Sequence, residues 1–184
     1  MSTPAENFQT EPLELGGNTP SYPNFGLLTD DEIIKYLYGL QDLNELEALL
    51  QALDAKKMNQ IAKSILKSDY HEKYNIAQLL PNNAVLKDES NVEYLDNLAY
   101  SSILIQDLNV AKTALNKAVQ LQQNRPDTIL HLARYHALDN DLTSCQSSLK
   151  QYAQIIENSS KTLKMVSGIS TNKRDSKQFK DCIS

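Results

Sequence analysis

The residues of this chain best equipped for chemistry are three histidines and two cysteines: His71, His131, His136, Cys145 and Cys182. Two histidines that hold one metal ion from a single helix face stand four positions apart, the spacing behind the HExxH zinc motif. His131 and His136 are five apart, which turns their side chains roughly 140° from each other at 3.6 residues per turn. That angle prevents a shared ion. Cys145 can approach one of them across a helical hairpin, but a buried cysteine usually packs as a small hydrophobe. The sequence contains no glycine-rich phosphate loop, GxSxG, HExxH or CxxC. No nucleophile with an adjacent base is visible, so the expectation is a protein that is not an enzyme and carries no cofactor or metal.

The elements that would position any such residues follow from composition. The chain has 184 residues, of which 41% are hydrophobic, with five Gly, six Pro and no Trp. This length suits one domain plus tails, with a core of useful size. Pro4, Pro12, Pro20 and Pro23, with Gly16, Gly17 and Gly26, all fall in the first 26 residues. The remainder has few helix breakers, is rich in Leu, Ala, Gln, Lys and Asp, and shows no period-two alternation, which predicts an all-α fold.

Net charge is −5, unevenly spread: −7 over residues 1–90, −2 over 91–159 and +4 over 160–184. An acidic body argues against nucleic acid as the main ligand, because phosphate contacts need clustered Lys and Arg. No stretch approaches the roughly 20 apolar residues that span a bilayer. The segment MSTPAENFQTEPLE is acidic and lacks an apolar core, so no secretory signal is expected there. The expected compartment is cytoplasmic, or nuclear in a eukaryotic host.

One pattern is written twice between Asn91 and Asn158. A shift of 34 positions matches Leu95 with Ile129, Leu98 with Leu132, Ala99 with Ala133, Asp107 with Asp141, Ala111 with Cys145, and Leu115 with Leu149. Leu95, Leu98, Ala99 and Ser102 fall on one face of a first helix, and Ala111, Leu115, Ala118 and Val119 on one face of a second. Between them Asp107 or Asn109 can cap the second helix. This 34-residue period of small and large apolar positions resembles the tetratricopeptide repeat, well over 92–125 and less closely over 126–159. Departures are Gln123 at the usual proline site, Ser102 for the usual aromatic, and Cys145 and Tyr152 for two alanines.

The resemblance implies a right-handed α-solenoid of about four antiparallel helical hairpins. Two degenerate hairpins, 28–54 and 55–81, would precede the two better repeats. A short helix over 160–168 would cap the open end, as stacked repeats require. Thr29 and Glu32 have capping-box spacing at the start of the first hairpin. Pro81-Asn82-Asn83 is read as the stop of the second. Residues 1–26 are read as a disordered leader, or as an arm with anchors at Phe8, Leu13, Leu15, Tyr22 and Phe25. Residues 169–184 are read as a polar basic tail.

The resemblance also implies a groove lined by the first helix of each repeat. Its positions here are Glu93, Asp96, Asn97, Tyr100, Ile103 and Leu104, then Asp127, Leu130, His131, Arg134, Ala137 and Leu138. Some members of the family hold carboxylate tails with several cations on these positions. Arg134 alone is insufficient for that, and Glu93 with Asp96 would repel an acid. The expected partner is therefore a protein or peptide segment with apolar anchors and basic residues. The expected function is that of a non-enzymatic adaptor or chaperone-like module. The alternatives are a structural subunit of a larger assembly, or RNA binding through the basic tail.

Overall fold

A computed structural model describes residues 22–40, 42–68 and 73–158, the side chains of 157 and 158 excepted. The described residues are all-α, with eight helices and no strand. They are α1 (Asp30–Gly39), α2 (Leu43–Ala52), α3 (Ala55–Lys67), α4 (Tyr74–Lys87), α5 (Val92–Leu104), α6 (Leu108–Leu121), α7 (Pro126–Leu138) and α8 (Leu142–Asn158). No helix among them is long and apolar enough to cross a membrane. The expected cap over 160–168, the tail over 169–184 and most of the leader lie outside the described residues.

Local sequence sets the helix starts. Thr29 accepts from the Glu32 backbone N–H while the Glu32 carboxylate accepts from the Thr29 backbone N–H, the reciprocal capping box that the spacing predicts. Asp42, Asp54, Asn91 and Asp107 each place a side-chain oxygen on an N–H of the next first turn. α7 starts instead with Pro126, whose missing N–H removes nothing at that position.

The 34-residue register reappears in the backbone. α5 and α7 both start and end 34 residues apart, and so do the starts of α6 and α8. The turns between partners repeat as well. Gln106 and Asn140 both take a left-handed φ, 62° and 59°. One residue later, Asp107 donates its N–H to the Ser102 carbonyl and Asp141 donates to that of His136, at 2.8 and 2.9 Å. This six-residue closure satisfies carbonyls that each helix end leaves open.

Helices pack mainly on their sequence neighbours, in the close pairs α3/α4, α5/α6 and α7/α8, with α4 also against α5 and α6 against α7. Ala62, Ala99, Ala111, Ala118, Ala133 and Cys145 are fully buried, so the small positions lie where backbones approach. The core is a row of three apolar clusters rather than one mass. Val85 touches the first two, and Tyr135 of α7 belongs to the second.

Two boundaries differ from the sequence reading. Phe25 sits in a 3-10 turn, is buried, and meets the Tyr36 ring edge-on at 5.0 Å. The chain is thus anchored before residue 26, because an aromatic ring found an open site on α1. α1 packs chiefly against α3, and α2 against that 3-10 turn.

Pro81 does not stop α4, which continues through it to Lys87. The ring is buried, and its lack of an N–H leaves the Ala77 carbonyl without its usual donor. An interior proline costs about 3 kcal/mol relative to alanine. Removing two buried ring methylenes would forfeit about 1.6 kcal/mol. The first term is larger, so Pro81→Ala is expected to raise stability by about 1 kcal/mol in urea unfolding. A lower midpoint would show that the ring packing outweighs the missing bond.

Candidate functional site

α3, α5 and α7, the first helix of each close pair, lie side by side. Polar side chains bridge them. Between α3 and α5, the Glu93 carboxylate accepts from Lys63 Nζ at 2.8 Å and from Asn59 Nδ2 at 3.2 Å. Asn97 Nδ2 donates to Asn59 Oδ1 at 2.7 Å. The Lys63 ammonium, with its hydrogen bond first among the causes, holds the half-exposed Glu93 carboxyl below the usual carboxylate range.

Between α5 and α7 the bridge is buried. Asp96 is 2% exposed. Thr128 Oγ1 donates to one of its oxygens at 2.7 Å, and Arg125 Nε donates to the other at 2.6 Å. Desolvation still pushes the Asp96 carboxyl up to about 6, against the hydrogen bonds from Thr128 and Arg125. Arg125 also reaches the exposed Asp127 at 3.3 Å.

One turn further along, three rings and planes stack. Tyr100 of α5 and His131 of α7 lie with centroids 4.9 Å apart and planes 12° from parallel. Arg134 sets its guanidinium 4.7 Å from the Tyr100 ring centroid, a cation–π distance. Its Nη1 lies 3.3 Å from His131 Nδ1. Because guanidinium only donates, Nδ1 is the acceptor, and His131 is neutral with its proton on Nε2. Burial, then the nearby Arg134 and Arg125, lower the His131 pKa well below the usual histidine value. No carboxylate among the described residues pairs with Arg134.

The positions assigned to a groove thus divide. Glu93, Asn97, Tyr100, Leu130 and Arg134 are half-exposed and Asp127 is exposed. Asp96, His131, Ile103, Leu104 and Ala137 are buried, and Leu138 packs against the second apolar cluster. Ile103 and Leu104 face the core because α5 is wrapped on both sides, by α4 and α6 as well as by α3 and α7. Of the apolar positions assigned to the groove, Tyr100 and Leu130 are neither buried nor packed against an apolar cluster.

Sequence reasoning missed the contribution of α3. Its buried residues Met58, Asn59, Ile61 and Ala62 match Leu95, Asp96, Leu98 and Ala99 of α5 at a shift of 37, not 34. The same shift makes Lys56, Gln60, Lys63 and Lys67 the counterparts of Glu93, Asn97, Tyr100 and Leu104. The paired helix α4 extends to Lys87 past Pro81, so a search at one fixed period passes over this register.

His136 lies apart, with its buried Nδ1 3.9 Å from the Asp141 carboxylate and without a hydrogen bond among the described residues. His71 lies outside the described residues. Among the described residues no group of three or more His, Cys, Asp or Glu side chains is placed to hold a metal ion. No protein-family model matches the chain, and no curated protein is detectably similar to it.

Proposed function

We propose that this chain is a tetratricopeptide-like, non-enzymatic interaction module: a right-handed solenoid of about four hairpins that binds an extended segment of another protein along the groove of its first helices. The observation that carries the reading is the stack of Tyr100, His131 and Arg134. Its guanidinium has one face on a ring and one donor on His131, and no carboxylate among the described residues meets it. A cation held in place before binding loses little side-chain freedom when a partner arrives. The bridges through Glu93 and Asp96 support the same reading, since they fix the spacing of the groove walls.

Tyr100→Ala combined with Arg134→Glu is expected to abolish partner capture in a pull-down while far-ultraviolet circular dichroism stays helical. Both side chains are half-exposed, so folding should survive. Capture that persists unchanged would move binding away from this face.

A second reading, a subunit of a larger assembly, is favoured by exposed leucines away from the groove. Leu27, Leu43 and Leu86 are 80%, 81% and 70% exposed. Insolubility of the chain unless a partner is co-expressed would support it over the adaptor.

A further inference from the structure

The α3 end of the groove carries a charge that the α5 and α7 portions do not predict. An open cavity of about 540 Å³ lies between α3 and the start of α5, lined by Lys56, Asn59, Gln60, Lys63, Lys67 and Glu93 among others. Lys56, Lys63 and Lys67 fall at helical spacing on one side of α3 and span about 17 Å of its axis. Lys63 is neutralised by Glu93. Lys56 and Lys67 are exposed, and neither forms an ion pair among the described residues.

The acids expected to border the groove are already engaged: Asp96 with Arg125 and Thr128, Glu93 with Lys63, and Asp127 with Arg125. In a chain of net charge −5, this surface carries cations at both ends that no acid among the described residues pairs, Lys56 and Lys67 on α3 and Arg134 on α7. The cavity walls are also fixed in advance, because Asn59 is held by Glu93 and Asn97, and Gln60 by Asp30.

We infer that this cavity receives an acidic stretch of an extended segment belonging to a partner protein, with its carboxylates against Lys56 and Lys67. The inference rests on the groove reading above and reverses the partner charge that the sequence suggests. A protein segment fits better than a nucleic acid strand. Strands without sequence preference are gripped by stacking bases on exposed rings, and the one aromatic among the described residues lining the cavity, Tyr94, is buried.

The test uses the full chain and a fluorescein-labelled peptide of ten alternating Glu and Ser residues, followed by fluorescence anisotropy. Saturable binding that weakens with salt is expected, and Lys56→Gln with Lys67→Gln should reduce the affinity about tenfold or more. The Lys/Ser counterpart peptide should not bind. No saturable binding of the Glu/Ser peptide, or binding indifferent to the two lysines, overturns the inference. So does equal or tighter binding of a ten-nucleotide oligouridine. Tighter peptide binding by a chain carrying Glu6→Gln, Glu11→Gln and Glu14→Gln would assign the cavity to the chain's own N-terminal segment and overturn it too. The two readings fail separately. Peptide binding that needs the lysines, beside partner capture indifferent to Tyr100 and Arg134, removes the groove reading alone. The opposite pair of results removes the acidic segment alone.

Discussion

Leu115→Ala is expected to lower the unfolding free energy by about 2–5 kcal/mol. Leu121→Ala, six residues along the same helix, should stay within about 0.5–1 kcal/mol of the parent. The contrast follows from position. Leu115 is 0% exposed and packs in one cluster with Leu98, Ala99, Ala111, Ala114, Ala118 and Tyr135, whereas Leu121 is 46% exposed. Four of those neighbours are alanines with no rotamer to swing inward, so a cavity at 115 would remain largely open. The cluster also joins α5, α6 and α7, so loosening it weakens two helix pairs together. Urea unfolding of both variants checks this. Equal, small losses at the two positions would mean that the alanine-lined seam does not hold these helices together.

How much of this was legible in the sequence depends on whether neighbours or distance decide. The capping box at Thr29 and the cap at Asp107 depend on residues a few positions apart, and the pattern of types was sufficient. The 34-residue register was legible because α5 and α7 have the same length and the turns that follow them bring α6 and α8 to starts 34 residues apart. Pro81 was misleading: local preference says stop, yet burial of the ring within the packed α3/α4 pair overrides it. Phe25 could be named as an anchor of an arm but not given its place, because its site is built by Tyr36 and the first cluster further along the chain.

Among the positions assigned to a groove, Tyr100 and Arg134 could be put on their helix faces because register is local. The roles of Glu93 and Asp96 could not be read that way, since Lys63 lies 30 residues before Glu93 and Arg125 lies 29 after Asp96. A list of charges in one helix cannot show which are already paired. Judging the groove acidic from Glu93 and Asp96 was therefore a reading of unpaired charges that the tertiary structure pairs. The lysines of α3 escaped for a related reason, because their register slipped by three residues.

Asp96 gives the second large expected effect, which appears in pH dependence. Its carboxyl is pushed from 3.8 to about 6 by desolvation, with Asp127 adding in the same direction, while Thr128 and Arg125 oppose. A group that binds its proton more tightly when folded stabilises the fold fully below its unfolded pKa. That stabilisation is lost as pH rises through the folded value. Two units correspond to about 3 kcal/mol, so the stability of the parent minus that of Asp96→Asn is expected to fall by on the order of 2–3 kcal/mol between pH 4 and pH 7. Glu32, Glu89, Glu93 and Asp141 are lowered and act with the opposite sign, but they are common to both proteins and cancel in the difference. Carbon-13 detection of the Asp96 carboxyl should give a midpoint near 6. A stability difference that grows with pH would mean that Arg125, 2.6 Å away, outweighs burial. The α5–α7 bridge would then behave as an ordinary ion pair, tightening as its acid ionises.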